Sequence, residues 1–131
     1  MFSYILVADA GQARFLRVSG PATARQVEET EKMERPSLHG DLGTTTPHAT
    51  NSDFDPHAHE VDVFVKKVAH RLDELRQAGG IADFVLLAEP HFLGKLRKQL
   101  TAPTSKMVSR EFSRDYTHAD TKVIMKAAFD A

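Results

Sequence analysis

Cysteine is absent from this 131-residue chain, which excludes disulfides and thiolate-bound metals. That composition suits a reducing compartment, and a cytoplasmic protein is expected. Tryptophan is absent as well, and there are only two tyrosines, so the aromatic platforms on which single-stranded nucleic acids stack are thin. No apolar run approaches the roughly 20 residues that cross a bilayer, so no membrane insertion is expected. The opening MFSYILVADA has no basic segment and reaches Asp9 after a short apolar run, so it reads as a strand and not as a signal peptide. Also missing are G-x-S-x-G, the P-loop, G-x-G-x-x-G and H-E-x-x-H. Their absence removes the local signatures of serine hydrolases, glycine-loop nucleotide binders and zinc proteases. No cofactor is expected, and no metal-ligand set is assigned.

Net charge is -1, too small to predict polyanion binding from bulk charge alone. The charge is unevenly placed. Residues 1–60 carry five Lys and Arg against nine Asp and Glu, whereas residues 61–131 carry twelve against nine. Lys95, Arg97 and Lys98, with Arg110, Arg114, Lys122 and Lys126, could face phosphates, although an ordinary solvated face explains them too. Hydrophobic residues make up 41%, enough for one core, and the length fits a single domain over 1–131.

Ser3–Ala8 is an unbroken apolar run and predicts a buried central strand. Ala10-Gly11-Gln12 is a turn, and Ala13–Ser19 alternates as a second strand, giving a hairpin. Arg25–Met33 is polar and fits a charged edge strand. Residues 35–55 hold Pro, Gly, Ser, Thr and Asn without a period, which predicts a long loop. Val61, Phe64, Val65, Val68, Leu72 and Leu75 then mark one face of a helix that Gly79-Gly80 ends. Asp83–Ala88 predicts another buried strand. Pro90 opens a helix with Phe92, Leu93, Leu96 and Leu100 inside, which Pro103 closes. Met107–Phe112 is a fifth strand. Thr117-His118-Ala119-Asp120 reads as a capping box ahead of a last helix. The order βββαβαβα specifies an α/β three-layer sandwich with a mixed five-stranded sheet, similar to a ribonuclease-H-like arrangement.

In that topology strands one, three, four and five point the same way, and ligands tend to bind beyond their carboxyl ends. The polar residues expected at that edge are Asp9, His57, His59, Glu60, Glu89, His91, Asp115, Thr117 and His118. Asp9, Glu60 and His118 are the candidate catalytic groups. Carboxylates at Asp9, Glu60, Glu89 and Asp115 could serve a small metal-dependent hydrolase or nuclease, and His118 could act as general acid or base. The alternative is that strand-end and helix-cap carboxylates hold the backbone. The stretch DPHAHE looks like a two-histidine site, but Asp55-Pro56 starts a helix. Positions two apart on a helix point about 200° apart, so His57 and His59 diverge.

Four stretches in order, YILVADAGQARFLRV, DPHAHEVDVFVKKVAHRLDELRQAG, FVLLAEPHFLGKLRKQL and SREFSRDYTHAD, resemble the bacterial host-attachment protein family over nearly the whole chain. The most specific parts are Pro90, Phe92, Leu93 and Gly94, then Asp115, Thr117 and His118, with His59-Glu60 as the helix-opening pair. The resemblance implies a fold similar to the middle domain of peptide-release factors, and a binding role toward ribosome or RNA. It makes Pro90, Phe92 and Gly94, with His59, Glu60, Asp115, Thr117 and His118, the expected binding residues. The reactive Gly-Gly-Gln loop of release factors has no counterpart. The glutamines here are 12, 26, 77 and 99, none of them in the loop before the long helix.

Overall fold

The computed structural model describes residues 1–36 and 56–130, with the backbone alone at residues 56 and 57. The long loop expected over 35–55 falls outside the described residues from position 37, as does the helix cap expected at Asp55, and nothing is described of the His57 side chain.

Strands β1 (Phe2–Ala8) and β2 (Gln12–Ser19) form the expected hairpin, and β3 (Gln26–Glu34) pairs antiparallel with β2. Helix α1 (Pro56–Ala78) leads to β4 (Ile81–Ala88), which pairs parallel with β1. Helix α2 (Pro90–Gln99), a short helix α3 (Ala102–Lys106), strand β5 (Val108–Phe112) and helix α4 (Thr121–Phe129) follow. The sheet is mixed and five-stranded, in the spatial order β3-β2-β1-β4-β5.

The period of two in the strands explains the layers. On one face Tyr4, Leu6 and Ala8 join Phe84, Leu86 and Ala88 beneath α1 and α2. On the other, Ile5, Val7, Val85 and Leu87 pack against Ile124 and Ala128 of α4. Strands β1 and β4 are covered on both faces, which is why they read as continuous apolar runs. Strand β3 is an edge strand whose acids protect it, and a register shift opposite Phe15 and Leu16 leaves Thr30 as the extra residue. That bulge breaks the alternation, so the strand is marked in the sequence by its charge and not by a period of two.

Two sequence expectations are corrected. The element order gains a helix, because Pro103 does not close α2. Leu100 caps α2, and Pro103 sits in the first turn of α3, where a missing N–H costs little. The second correction concerns the last helix. Asp120, not Thr117, caps α4 by accepting from the Val123 N–H.

Helix α3 is fastened to α1 through Asp73. Its Oδ1 accepts from the hydroxyls of Thr101 and Thr104, both at 2.8 Å, and from Arg76 at 2.9 Å. Arg76, then Thr104 and Thr101, hold this carboxyl down at about 2. Its folded value lies below the unfolded one, so its contribution is present above about pH 4 and is lost as pH falls toward 2. In Asp73→Asn the slope of stability against pH should flatten in that window, measured by urea unfolding at a series of pH values.

Gly79 and Gly80 stop α1 in the left-handed region, with φ of 89° and 83°. A Cβ at Gly79 would meet nothing within 4 Å, so the conformation itself is the only obstacle. Gly79→Ala should cost about 1–2 kcal/mol, read as a lower urea midpoint at constant m-value.

Candidate functional site

Strands β1, β3, β4 and β5 point the same way, so their carboxyl ends share one edge. After β1 the chain turns to β2 on one side, and after β4 it passes through α2 to β5 on the other. The crevice between β1 and β4 is therefore a topological switch point, where open α/β sheets place ligands. An open cleft of about 840 Å³ lies there. Asp9, Gln12 and Arg14 line it from the hairpin, Lys32, Glu34 and Arg35 from β3, and Glu89, Asp115, Thr117 and His118 from the far side.

Asp9 directly follows β1. Its Oδ1 accepts the N–H groups of Gly11 (2.8 Å) and Gln12 (2.9 Å), which closes the hairpin. Its Oδ2 lies 3.1 Å from the Thr117 hydroxyl. That hydroxyl is also 2.6 Å from Asp115 Oδ1, which accepts the Thr117 N–H at 2.9 Å. Thr117 is one of two buried polar residues in the described chain. It gathers the carboxylates of β1 and of the turn after β5 about a single hydroxyl, which has one proton to give. Burial works against ionisation of Asp115, but the Thr117 hydroxyl and N–H, Asp9 and nearby His118 together hold its carboxyl below the usual range.

Glu89 caps α2. It accepts the N–H groups of His91 and Phe92, each at 3.0 Å, and lies 2.9 Å from the His91 ring Nδ1. Burial opposes its ionisation too, and the His91 contacts with the Phe92 N–H outweigh it, leaving the pKa lowered. Among the described residues no three of His, Asp and Glu are grouped to hold a metal ion.

The cleft thus brings together Asp9, Glu89, Asp115, Thr117 and His118 of the residues expected at this edge. Others stand apart. His59 and Glu60 line a smaller, mostly apolar pocket of about 160 Å³ with Val63, Phe64 and Lys67. Glu60 is ion-paired with Arg35, and its Oε2 is the one buried side-chain oxygen among the described residues without a hydrogen bond. His91 is exposed and points outward. Pro90 is exposed, but Phe92 is fully buried against Phe64 with ring centroids 6.0 Å apart. Its part in any contact is to hold the start of α2 in place. Gly94 has open space where a Cβ would stand, so no close approach requires a glycine there.

Two arginines were not singled out from sequence. Arg14 donates through Nη1 to the carbonyls of Thr117 (3.0 Å) and Ala119 (2.8 Å), and through Nη2 to Glu29 (2.8 Å). Its parity is the signal that could have found it: Arg14 shares a strand face with Leu16 and Val18, so its charge points to the covered side. Arg35 donates through Nε to the Ala10 carbonyl at 2.7 Å and, with Glu60, joins the hairpin to α1. No local pattern marks it.

Replacing the shared hydroxyl tests this framework. Thr117→Val keeps shape and removes the donor. It should raise the Asp115 pKa, followed by carboxyl NMR titration, and cost about 1.5–3 kcal/mol in urea unfolding.

No helix among the described residues is long and apolar enough to cross a membrane. No curated protein matches the chain. A family model described as protein required for attachment to host cells matches residues 4–127, which run from the first strand into the last helix and include every residue of the cleft. The chain belongs to that family of proteins required for attachment to host cells.

Proposed function

We propose that this protein is a cytoplasmic binding module and not an enzyme, that its partner is RNA, most simply on the ribosome, and that it influences host attachment indirectly. One observation carries the first part: the carboxylates at the switch-point edge are already engaged in holding backbone. Asp9 closes a hairpin, Glu89 caps a helix, and Asp115 and Asp9 flank Thr117. Glu60 is held by Arg35. Groups spent on the framework are poor candidates for a reaction that needs them to change partner.

The RNA partner is supported by the release-factor-like fold that the family resemblance implies, and by cations without an ion-pair partner in the second half of the chain. Lys66, Lys67, Lys98, Lys106, Lys122 and Lys126 are exposed, and among the described residues no carboxylate lies within ion-pair distance of any of them. The lack of a Gly-Gly-Gln loop argues against peptidyl-tRNA hydrolysis and leaves binding without that chemistry. Of the expected binding residues, Pro90 at the start of α2 and His118 at the cleft rim are exposed.

Sedimentation with ribosomes across a salt series tests this reading. Co-sedimentation at low salt that falls steeply as salt rises is expected. Its absence at low salt would sink the RNA partner. Tight divalent-ion binding that is lost in Asp9→Asn and Asp115→Asn, accompanied by phosphodiester cleavage, would replace the binding module with a nuclease.

A further inference from the structure

Helices α1 and α2 lie side by side over one face of the sheet, joined by the Phe64–Phe92 contact and by an ion pair between Asp62 and Lys95 at 2.7 Å. Between them runs a groove of about 280 Å³ lined by Asp62, Val65 and Lys66 of α1 and by Lys95, Lys98 and Gln99 of α2. Three lysines meet one carboxylate in this space. Lys95 is bound to Asp62, while Lys66 and Lys98 are exposed with no carboxylate within ion-pair distance among the described residues. The groove therefore carries a net charge of +2, its one carboxylate bound to Lys95 and acting at longer range on Lys66, in a chain whose net charge is -1.

We propose that this groove, and not the cleft at the strand ends, is where the protein grips the phosphate backbone of RNA. This rests on the reading that RNA is the partner, and it names the surface. The cleft is a poor rival on charge, since Asp9, Glu34, Glu89 and Asp115 outnumber Arg14, Lys32 and Arg35, and both arginines are spent on carbonyls and glutamates. Lys95 and Lys98 are three apart, so they share one helix face about 5–6 Å apart and present charge in a row, while Lys66 stands on the opposing wall. A row of point charges on flexible stems follows a polyanion without demanding one geometry, which fits a backbone better than a single bound phosphate. The Gln99 amide adds a neutral donor, and no aromatic side chain lines the groove. The contact is therefore electrostatic and indifferent to base sequence.

The presence of Asp62 gives the proposal two tests of opposite sign. The first variant is Lys66→Glu/Lys98→Glu, at two exposed positions outside the core. The second is Asp62→Asn, which frees Lys95. Binding of a fluorescent oligouridylate of roughly twenty nucleotides is followed by anisotropy across a salt series, with the full chain. The double variant should bind at least tenfold more weakly at low salt, with the slope of log K against log salt flattened by about 1.4, as expected for two lost contacts at about 0.7 each. Asp62→Asn should bind about two- to fivefold more tightly, with a steeper slope. A purely structural role for the ion pair would give weaker binding or none of this gain. If the wild-type chain binds RNA or ribosomes and the double variant binds equally with an equal slope, the groove is not the contact and the proposal falls, while the RNA reading stands. If the wild type binds neither, both fall. Loss of binding to anionic phospholipid vesicles with RNA binding untouched would also overturn it.

Discussion

The parallel pairing of β1 with β4 is the constraint on which the rest of the molecule depends. Both strands are buried on both faces, from Tyr4 to Ala8 and from Phe84 to Ala88. Strands enclosed in this way have no room for a polar side chain along their length, because an unpaired polar group there would cost several kcal/mol. Polar residues are therefore pushed to the strand ends. Asp83 stands at one end, bridged to Ser3 and Ser109 across the sheet, and Asp9 and Glu89 at the other. The switch-point cleft follows from the same rule. It lies where two enclosed strands stop and the chain leaves them in opposite directions.

What those ends do is first of all structural. Turns and helix starts leave backbone N–H groups exposed, and the nearest carboxylates satisfy them. Asp9 serves Gly11 and Gln12, Glu89 serves His91 and Phe92, Asp115 serves Thr117, and Asp120 serves Val123. Three of these carboxylates, Asp9, Glu89 and Asp115, line the cleft. Thr117 ties two of them together, and Arg14 holds the carbonyl side of the same turn.

Much of this was legible in the sequence. Continuous apolar runs placed β1 and β4, the helical period placed α1, and Pro90 and Gly79-Gly80 marked ends that the structure keeps. Five edge residues, Asp9, Glu89, Asp115, Thr117 and His118, were expected together and line one cleft. The failures have physical causes. Pro103 suits both the end of one helix and the first turn of the next, and the Thr101 cap with the Asp73 contacts to Thr101 and Thr104 favours the second. Thr117 has the spacing of a cap, but burial beside Asp9 gives its hydroxyl other partners. Asp9 and Thr117 are 108 positions apart, and no local pattern encodes such a contact. Glu60 was expected in the main cleft because α1 begins at that edge. Arg35 draws it into the neighbouring pocket.

The two kinds of basic residue divide the remaining work. Arg14, Arg17, Arg35, Arg71, Arg76 and Arg97 each sit in a salt bridge, Arg110 holds the Ala128 carbonyl, and Arg25 lies over the Phe129 ring. Among the described residues Arg114 alone has no such contact. Among the lysines the balance is reversed, since within the described residues only Lys32 and Lys95 have a carboxylate within ion-pair distance. The planar guanidinium fixes geometry by donating to two partners at set angles, whereas the ammonium keeps its hydration and moves on its stem. Arginine thus builds the frame, cancelling the acids of β3 and fastening α1 to it through Arg71 and Glu31. Lysine supplies the outward field. A near-neutral chain can in this way leave lysines without ion-pair partners, because many of its described acids pair with arginines or cap backbone while most of its lysines pair with nothing at that distance. The charge that matters for association is the part the fold leaves uncancelled, and that part cannot be read from the net charge.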